Sequence, residues 1–310
     1  MSGVAALGRT DLDVFPLCLG GNVFGWTADE PQSHAVLDAY TAAGGNFIDT
    51  ANSYLVEHGR SETTIGRWLA GRGTRDRLVL ATKVGGGRGA VRSLRAETIE
   101  AEARASLERL QTDRIDLYYA HFDDLQTPLE ETLRAFDALV KAGTVRHIGA
   151  SNYAPERLNQ ALEIQRELGL SEFTVLQPHY NLVEREFERT LLPAAEAWEL
   201  AVVPYFGLAK GFLTGKYRPG GEEVDSPRAQ AARAYLDQGG AAALDALDEI
   251  AAAHGTTVPA VALAWLRSQP TVVAPIASAR TTEQLAQILP AATLELASEE
   301  LDRLSATVAA

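Results

Sequence analysis

The sequence predicts a closed barrel of eight parallel strands wrapped by helices, an α/β (β/α)8 TIM barrel. Three observations predict it. Short β-branched runs alternate with helix-length segments whose apolar residues fall three or four apart. The first seven strand candidates recur roughly every 30 residues, the length of one βα unit. No Pro/Ser-rich linker or shift in composition divides the chain, so one domain is expected over residues 1–310, and 46% apolar residues suffice for its core. A doubly wound open sheet is the alternative the same alternation allows.

The elements follow in order. Leu7 to Val14 reads as a small N-terminal β-hairpin, with Thr10-Asp11 as turn chemistry, placed to plug the bottom of the barrel. Strands are expected to begin near Phe15, Asn46, Leu78, Ile115, Val145, Phe173, Ala201 and Thr271. About 70 residues separate the last two, which demands an insertion between strands 7 and 8. In the segment Thr127 to Lys141, Thr127 is suited to cap, Pro128 to the first helical position and Glu130 to a capping box; Leu129, Leu133, Phe136 and Val140 then form one apolar face. Gly44, Gly71, Gly143, Gly169 and Gly255 each follow a helical pattern, where a left-handed residue is needed.

Composition excludes several classes of function. A formal net charge of −13 argues against nucleic acid or an anionic membrane as partner. No run of about 18 apolar residues is present, and Met1 to Val14 lacks a leader pattern. Cys18 is the only cysteine, which rules out an intramolecular disulfide and fits a reducing cytoplasm. His34, His58, His121, His147, His179 and His254 show no H-x-H or H-E-x-x-H spacing, so no metal site is expected.

In such a barrel, function collects where strands end. Strand two ends in Asp49-Thr50-Ala51 with Tyr54 in the loop beyond; strand three delivers Lys83, strand four His121, strand five Ser151-Asn152 and strand six Gln177. Each residue alone has an ordinary explanation: a turn cap, half-buried packing, a structural histidine. Lys83 is harder to explain that way, because its charge enters a barrel mouth and needs a carboxylate such as Asp49. Together the four suggest carbonyl reduction. Hydride delivery builds charge on the carbonyl oxygen, which must take a proton; a tyrosine beside an ammonium, its pKa lowered towards neutrality, supplies it. His121 would orient and polarise the carbonyl.

Asp49-Thr50-Ala51-x-x-Tyr54, Ala81-Thr82-Lys83 and Ile115-Asp116-Leu117-Tyr118 leading to His121 resemble the signatures of the aldo-keto reductase superfamily, whose catalytic tetrad occupies these four positions. The resemblance continues through Ile148 to Asn152, Leu176-Gln177-Pro178, Gly211 to Tyr217 and Ser278 to Leu285, and so covers almost the whole chain. It implies a cytoplasmic NADP-dependent oxidoreductase that reduces aldehydes and ketones, acting on a small-molecule carbonyl with NADPH as cofactor. It further implies that Ser151, Asn152 and Gln177 hold the nicotinamide carboxamide and that Tyr205 stacks on the ring. Phe206, Gly207, Leu208, Ala209, Lys210 and Gly211 would begin the wrap around the pyrophosphate, with Lys216 as its positive contact. Arg280 would meet the 2′-phosphate and Gln284 the adenine, with Gln287 beside it; Gly21, Asp49, Ala277 and Ser278 complete the expected cofactor set. Independently, a guanidinium at a helix N-terminus suits a bidentate phosphate contact.

Two positions depart from the family pattern. Phe206 replaces a serine that would contact the pyrophosphate, and Ile288 stands where an adenine-binding asparagine is common. Phe24, Trp26, Phe122 and Tyr153 are candidates for an apolar substrate pocket, with loop packing as the alternative. Of the arginines on the insertion, Arg218, Arg228 and Arg233 have no role that the sequence assigns. Gly85 to Ala90 matches the looser G-x-G-x-x-A fingerprint but lies on the wrong strand, with no helix until near Arg95, and reads as a loop. Two rival functions remain: a Schiff-base aldolase acting through Lys83, and an NADPH-binding regulatory subunit with residual reductase activity.

Overall fold

The computed structural model describes residues 3–54, 58–86 and 92–308. Strands β1 (Ala5–Ala6) and β2 (Asp13–Val14) form the antiparallel hairpin. The parallel sheet contains β3 (Cys18–Gly20), β4 (Phe47–Asp49), β5 (Val79–Val84), β6 (Ile115–Ala120), β7 (Val145–Ser151), β8 (Phe173–Gln177), β9 (Ala201–Val202) and β10 (Ile276–Ala277). Each neighbours the next in chain order, and β10 returns beside β3. The ring closes where the Val202 amide donates to Thr271 O and the Ile276 amide to Pro204 O, both at 2.9 Å. The (β/α)8 barrel is therefore observed, not the open sheet.

Two strands start later than the sequence suggests. Pro16 has no amide hydrogen and the Phe15 amide is taken by Asn46 Oδ1 at 2.7 Å, so pairing begins at Cys18. Thr271 sits at φ 66° and Pro275 lacks a donor, which leaves Val272 as an isolated bridge before β10.

Helices α1 (Glu30–Ala42), α2 (Arg60–Arg72), α3 (Ala96–Leu110), α4 (Leu129–Lys141) and α5 (Pro155–Glu167) follow β3 to β7 in turn. Short α6 (Glu186–Thr190) and α7 (Leu192–Ala197) follow β8. The insertion after β9 holds a 3-10 turn (Ala209–Thr214), α8 (Ala229–Asp237), α9 (Gly240–His254) and α10 (Val258–Arg267); α11 (Thr282–Ile288) and α12 (Ser298–Ser305) come last. Asp29 and Gln32 close a reciprocal capping box on α1, and Thr281 caps α11 through the Gln284 amide.

The box expected on α4 does not form. Thr127 Oγ1 donates to Asp124 Oδ2 at 2.6 Å and Pro128 itself occupies the cap, while Glu130 pairs with Arg134 one turn on. Likewise Gly71 stays within α2, and Gly73, at φ 60°, provides the left-handed terminus; Gly44, Gly143, Gly169 and Gly255 are left-handed as expected.

Strand alternation positions the site. Phe47, Val79, Ala81, Leu117, Tyr119 and Val175 pack together inside the barrel, over Leu7, Leu12 and Val14 of the hairpin. Continuing the period of two along each strand brings Asp49 after Phe47, Lys83 after Ala81, His121 after Tyr119 and Gln177 after Val175. The last inward position at the ends of β4, β5, β6 and β8 is thus polar, and all four meet at one mouth.

Candidate active site

At that mouth Lys83 is fully buried, and its three ammonium donors reach Asp49 Oδ2 at 2.5 Å, Thr50 O at 2.7 Å and Tyr54 Oη at 2.9 Å. Tyr54 Oη donates to Asp49 Oδ2 at 3.2 Å, and Gln177 Nε2 donates to the other carboxylate oxygen at 2.9 Å. The His121 ring stands edge-on to Tyr54, with centroids 6.1 Å apart, and its Nδ1 lies 3.3 Å from Ser53 Oγ. Gly86 lies so close to this ring that a Cβ there would overlap Nδ1. The rest of the glycine-rich loop, residues 87–91, lies outside the described residues.

The electrostatics differ from the sequence expectation in one respect. Burial, and after it the Asp49 carboxylate, hold the Tyr54 phenol well above its ordinary value rather than below it. The hydroxyl therefore keeps its proton at neutral pH, and it is a weaker acid than the sequence expectation assumes. Burial also lowers Lys83, against the pull of Asp49. For His121, burial followed by the charges of Lys83 and Arg92 lowers the pKa to about 3, so the imidazole is neutral through the physiological range.

A cavity of about 760 Å³ runs from Asp49, Tyr54 and His121 across Asn152 and Gln177 to Lys216 and Arg280. Ser151, Tyr205, Phe206, Gly207, Leu208, Lys210, Gly211, Ala277, Ser278, Gln284, Gln287 and Ile288 also line it, as do Trp26 and Phe122. Besides Lys83, which is fully buried, four expected residues do not. Gly21 faces Ser61 and the Asp49 backbone, and Ala209 is fully buried beneath the turn. Phe24 packs inside the α1 and α2 cluster, leaving Trp26, 48% exposed, at the mouth. Tyr153 is buried behind β7, its ring 6.0 Å from Phe173. Their spacing from the strand ends was compatible with the cavity, but the chain turns them into the core.

The donor set fits a nicotinamide dinucleotide. Asn152, at φ 56°, accepts from Tyr205 Oη at 2.8 Å, which fixes the flat Tyr205 ring. His179 stacks on that ring at 5.3 Å and 11°. Phe206, Ala209, Lys210 and Gly211 all have positive φ, a local strain in a tight turn in which the Ala209 amide donates to Phe206 O at 2.7 Å and the Gly211 amide to Leu208 O at 2.8 Å. Among the described residues, none of Lys210, Lys216, Arg228 and Arg280 forms an ion pair, and all line the cavity. Sequence reasoning missed Asn22, which accepts from Ser278 Oγ at 2.8 Å, the stacking of His179, and Asn181, which donates to Phe206 O at 3.0 Å. The inward position two residues beyond Gln177 was the available signal for His179.

Among the described residues no cluster of His, Cys, Asp and Glu could hold a metal ion, and no helix is long and apolar enough to cross a membrane. The family model described as the aldo/keto reductase family matches residues 16–309. The chain is 37% identical to the uncharacterized oxidoreductase YrpG of Bacillus subtilis, covering 96% of this chain and 94% of that one. It is 33% identical to the putative aryl-alcohol dehydrogenase AAD14 of Saccharomyces cerevisiae (95% and 83% covered) and 34% identical to the norsolorinic acid reductase stcV of Emericella nidulans (95% and 78% covered). Barrel, strand-end cluster and sequence relationship agree, and the chain belongs to the aldo/keto reductase family of oxidoreductases.

Proposed function

We propose that this chain, working as one domain over residues 1–310, is a cytoplasmic NADPH-dependent reductase that converts aldehydes and ketones to alcohols. The observation that carries the reading is the cluster of Tyr54, Lys83 and Asp49, which opens into a cavity whose far end is cationic. When bound, the reduced nicotinamide supplies the hydride. Tyr54 gives its proton to the developing alkoxide, and Lys83, held by Asp49, stabilises the phenolate left behind. Neutral His121 orients the carbonyl by a hydrogen bond.

Asn152 and Gln177 are the amides for the carboxamide, Tyr205 the stacking face, Lys216 the pyrophosphate contact and Arg280 the 2′-phosphate contact. The aldolase reading is weaker, because all three donors of Lys83 are engaged and no lone pair faces the cavity. Tyr54→Phe tests the proposal: reduction of a small aldehyde, followed by loss of NADPH absorbance, should fall by about 10²–10⁴-fold. NADPH binding, followed by fluorescence titration, should stay within about twofold, since the lost hydroxyl makes no proposed cofactor contact. Undiminished turnover would remove Tyr54 from its role.

A further inference from the structure

The loop that carries Tyr54 leaves the barrel where the sheet's hold on it fades. The Thr50 amide donates to Ala81 O at 2.9 Å, but the Asn52 amide stands 3.5 Å from Lys83 O. Tyr54 lies beyond that point, so the strand ladder alone does not fix it. Helix α3 supplies the missing support. Glu102 on α3 accepts through Oε2 from Asn52 Nδ2 at 2.9 Å, and the same oxygen lies 3.1 Å from His58 Nε2. One carboxylate thus grips the loop on both sides of Tyr54. The Gly59 amide donates to Asn52 O at 2.6 Å, and Gly59 lies so close to α3 that a Cβ there would overlap the Arg109 side chain.

An exposed ion pair between a helix and a loop would count for little. The bond to Asn52 differs, because that side chain is 2% exposed and a charge-assisted hydrogen bond made away from water is a strong one. Partial burial pushes the Glu102 carboxyl up, but the bonds from Asn52 and His58 outweigh it and hold the group below the usual carboxylate range. Arg109, 3.6 Å from the same Oε2, pairs also with Glu62 and steadies the carboxylate from the helix side. Placement matters here, since Tyr54 Oη must stay 2.9 Å from Lys83 Nζ while facing the cavity. A displacement of about 1 Å at a reacting group costs about 10²-fold in rate.

Under the function proposed above, on which this inference rests, we propose that Glu102 is a positioning residue for proton transfer: through Asn52 and His58 it holds the Tyr54 hydroxyl where the alkoxide forms. Glu102 itself does not line the cavity and touches neither carbonyl nor cofactor.

The test is a double-mutant cycle on aldehyde reduction. Glu102→Ala should lower kcat by about 10- to 100-fold. Aldehyde KM and NADPH affinity, the latter titrated by fluorescence, should stay within about twofold. Glu102→Gln, which keeps an acceptor oxygen for Asn52, should recover most of the loss. In the Tyr54→Phe background, Glu102→Ala should cost no more than about twofold, because the hydroxyl it places is gone. Asn52→Leu cuts the same link from the loop side and removes a buried Oδ1 that has no partner among the described residues, so it carries the test if Glu102→Ala does not fold; its kcat should fall alike. Undiminished kcat in either folded variant would overturn the proposal. So would a loss of equal size with and without the Tyr54 hydroxyl, or a matching loss of NADPH affinity. Wild-type turnover in Tyr54→Phe alone would instead bring down the proton-donor reading, and this inference with it.

Discussion

At the residue scale, the site is a contest between burial and charge. Tyr54 illustrates it: an ammonium 2.9 Å from the hydroxyl favours the phenolate, yet burial and the Asp49 carboxylate outweigh it. Adjacency of Tyr54, Lys83 and Asp49 was legible in the sequence because strand ends are; the balance of their fields was not, because it depends on desolvation. Arg280 is a simpler case. It lies at the entrance to α11, where its backbone amide donates to Gln284 Oε1 at 2.9 Å, and burial of Lys216 nearby is worsened by its charge. Two cations held that close have a use for a multiply charged group. Arg280→Ala should therefore weaken NADPH by about 10- to 100-fold, as expected for a charge-assisted contact, and NADH far less. Paired fluorescence titrations read this directly, and equal losses for the two cofactors would refute a 2′-phosphate contact.

At the element scale, α2 and α3 are locked together by a buried charge. Glu62 on α2 is fully buried, accepts from Thr82 Oγ1 on β5 at 2.5 Å, and pairs with Arg109 Nε on α3 at 2.6 Å. Gly66, one turn beyond Glu62, lets the two helix backbones approach so closely that any side chain there would overlap Arg109 O. Arg109→Ala would strand the Glu62 carboxylate with Thr82 alone, and should cost about 3–5 kcal/mol in urea unfolding. Replacing both Glu62 and Arg109 by Met should recover most of that loss, because the desolvation penalty disappears with the charge. Full stability in Arg109→Ala would show that the pair contributes nothing. Element periodicity was readable throughout, but ends were less so. Gly71 and Gly73 both follow the apolar pattern of α2, and only the packing decides which turns left-handed. Thr127 had two partners to choose from, and Asp124, three residues back, won over the helix terminus.

At the scale of the whole molecule, the barrel separates stability from chemistry. Residues at the lower end of the strands pack on the hairpin, while those at the upper end face the cavity. That division is why the sequence read so far: the period of two holds inside the barrel except at the register shift between β7 and β8, where Phe173 packs outward, so polar residues at strand ends announce the mouth. Loop side chains carry no such period, and Phe24, Tyr153 and Arg228 could be assigned inward or outward only from packing. The hairpin offers the clearest test of the division. Asp11 at its turn is held to a pKa of about 2 by His147 and Arg146, and Arg9 reaches Glu172 at 2.9 Å, which fixes it beneath β7 and β8. Leu7 is fully buried there with Phe47, Leu117 and Val175. Leu7→Ala should destabilise the fold by about 2–5 kcal/mol, the usual cost of a leucine-sized cavity. Because the hole opens at the end of the barrel remote from Tyr54 and His121, turnover per folded molecule should stay at the wild-type level at low temperature. Thermal unfolding and aldehyde reduction measured on the same preparation check both halves. Loss of turnover in a fully folded Leu7→Ala protein would mean that the barrel interior transmits strain from the plug to the site.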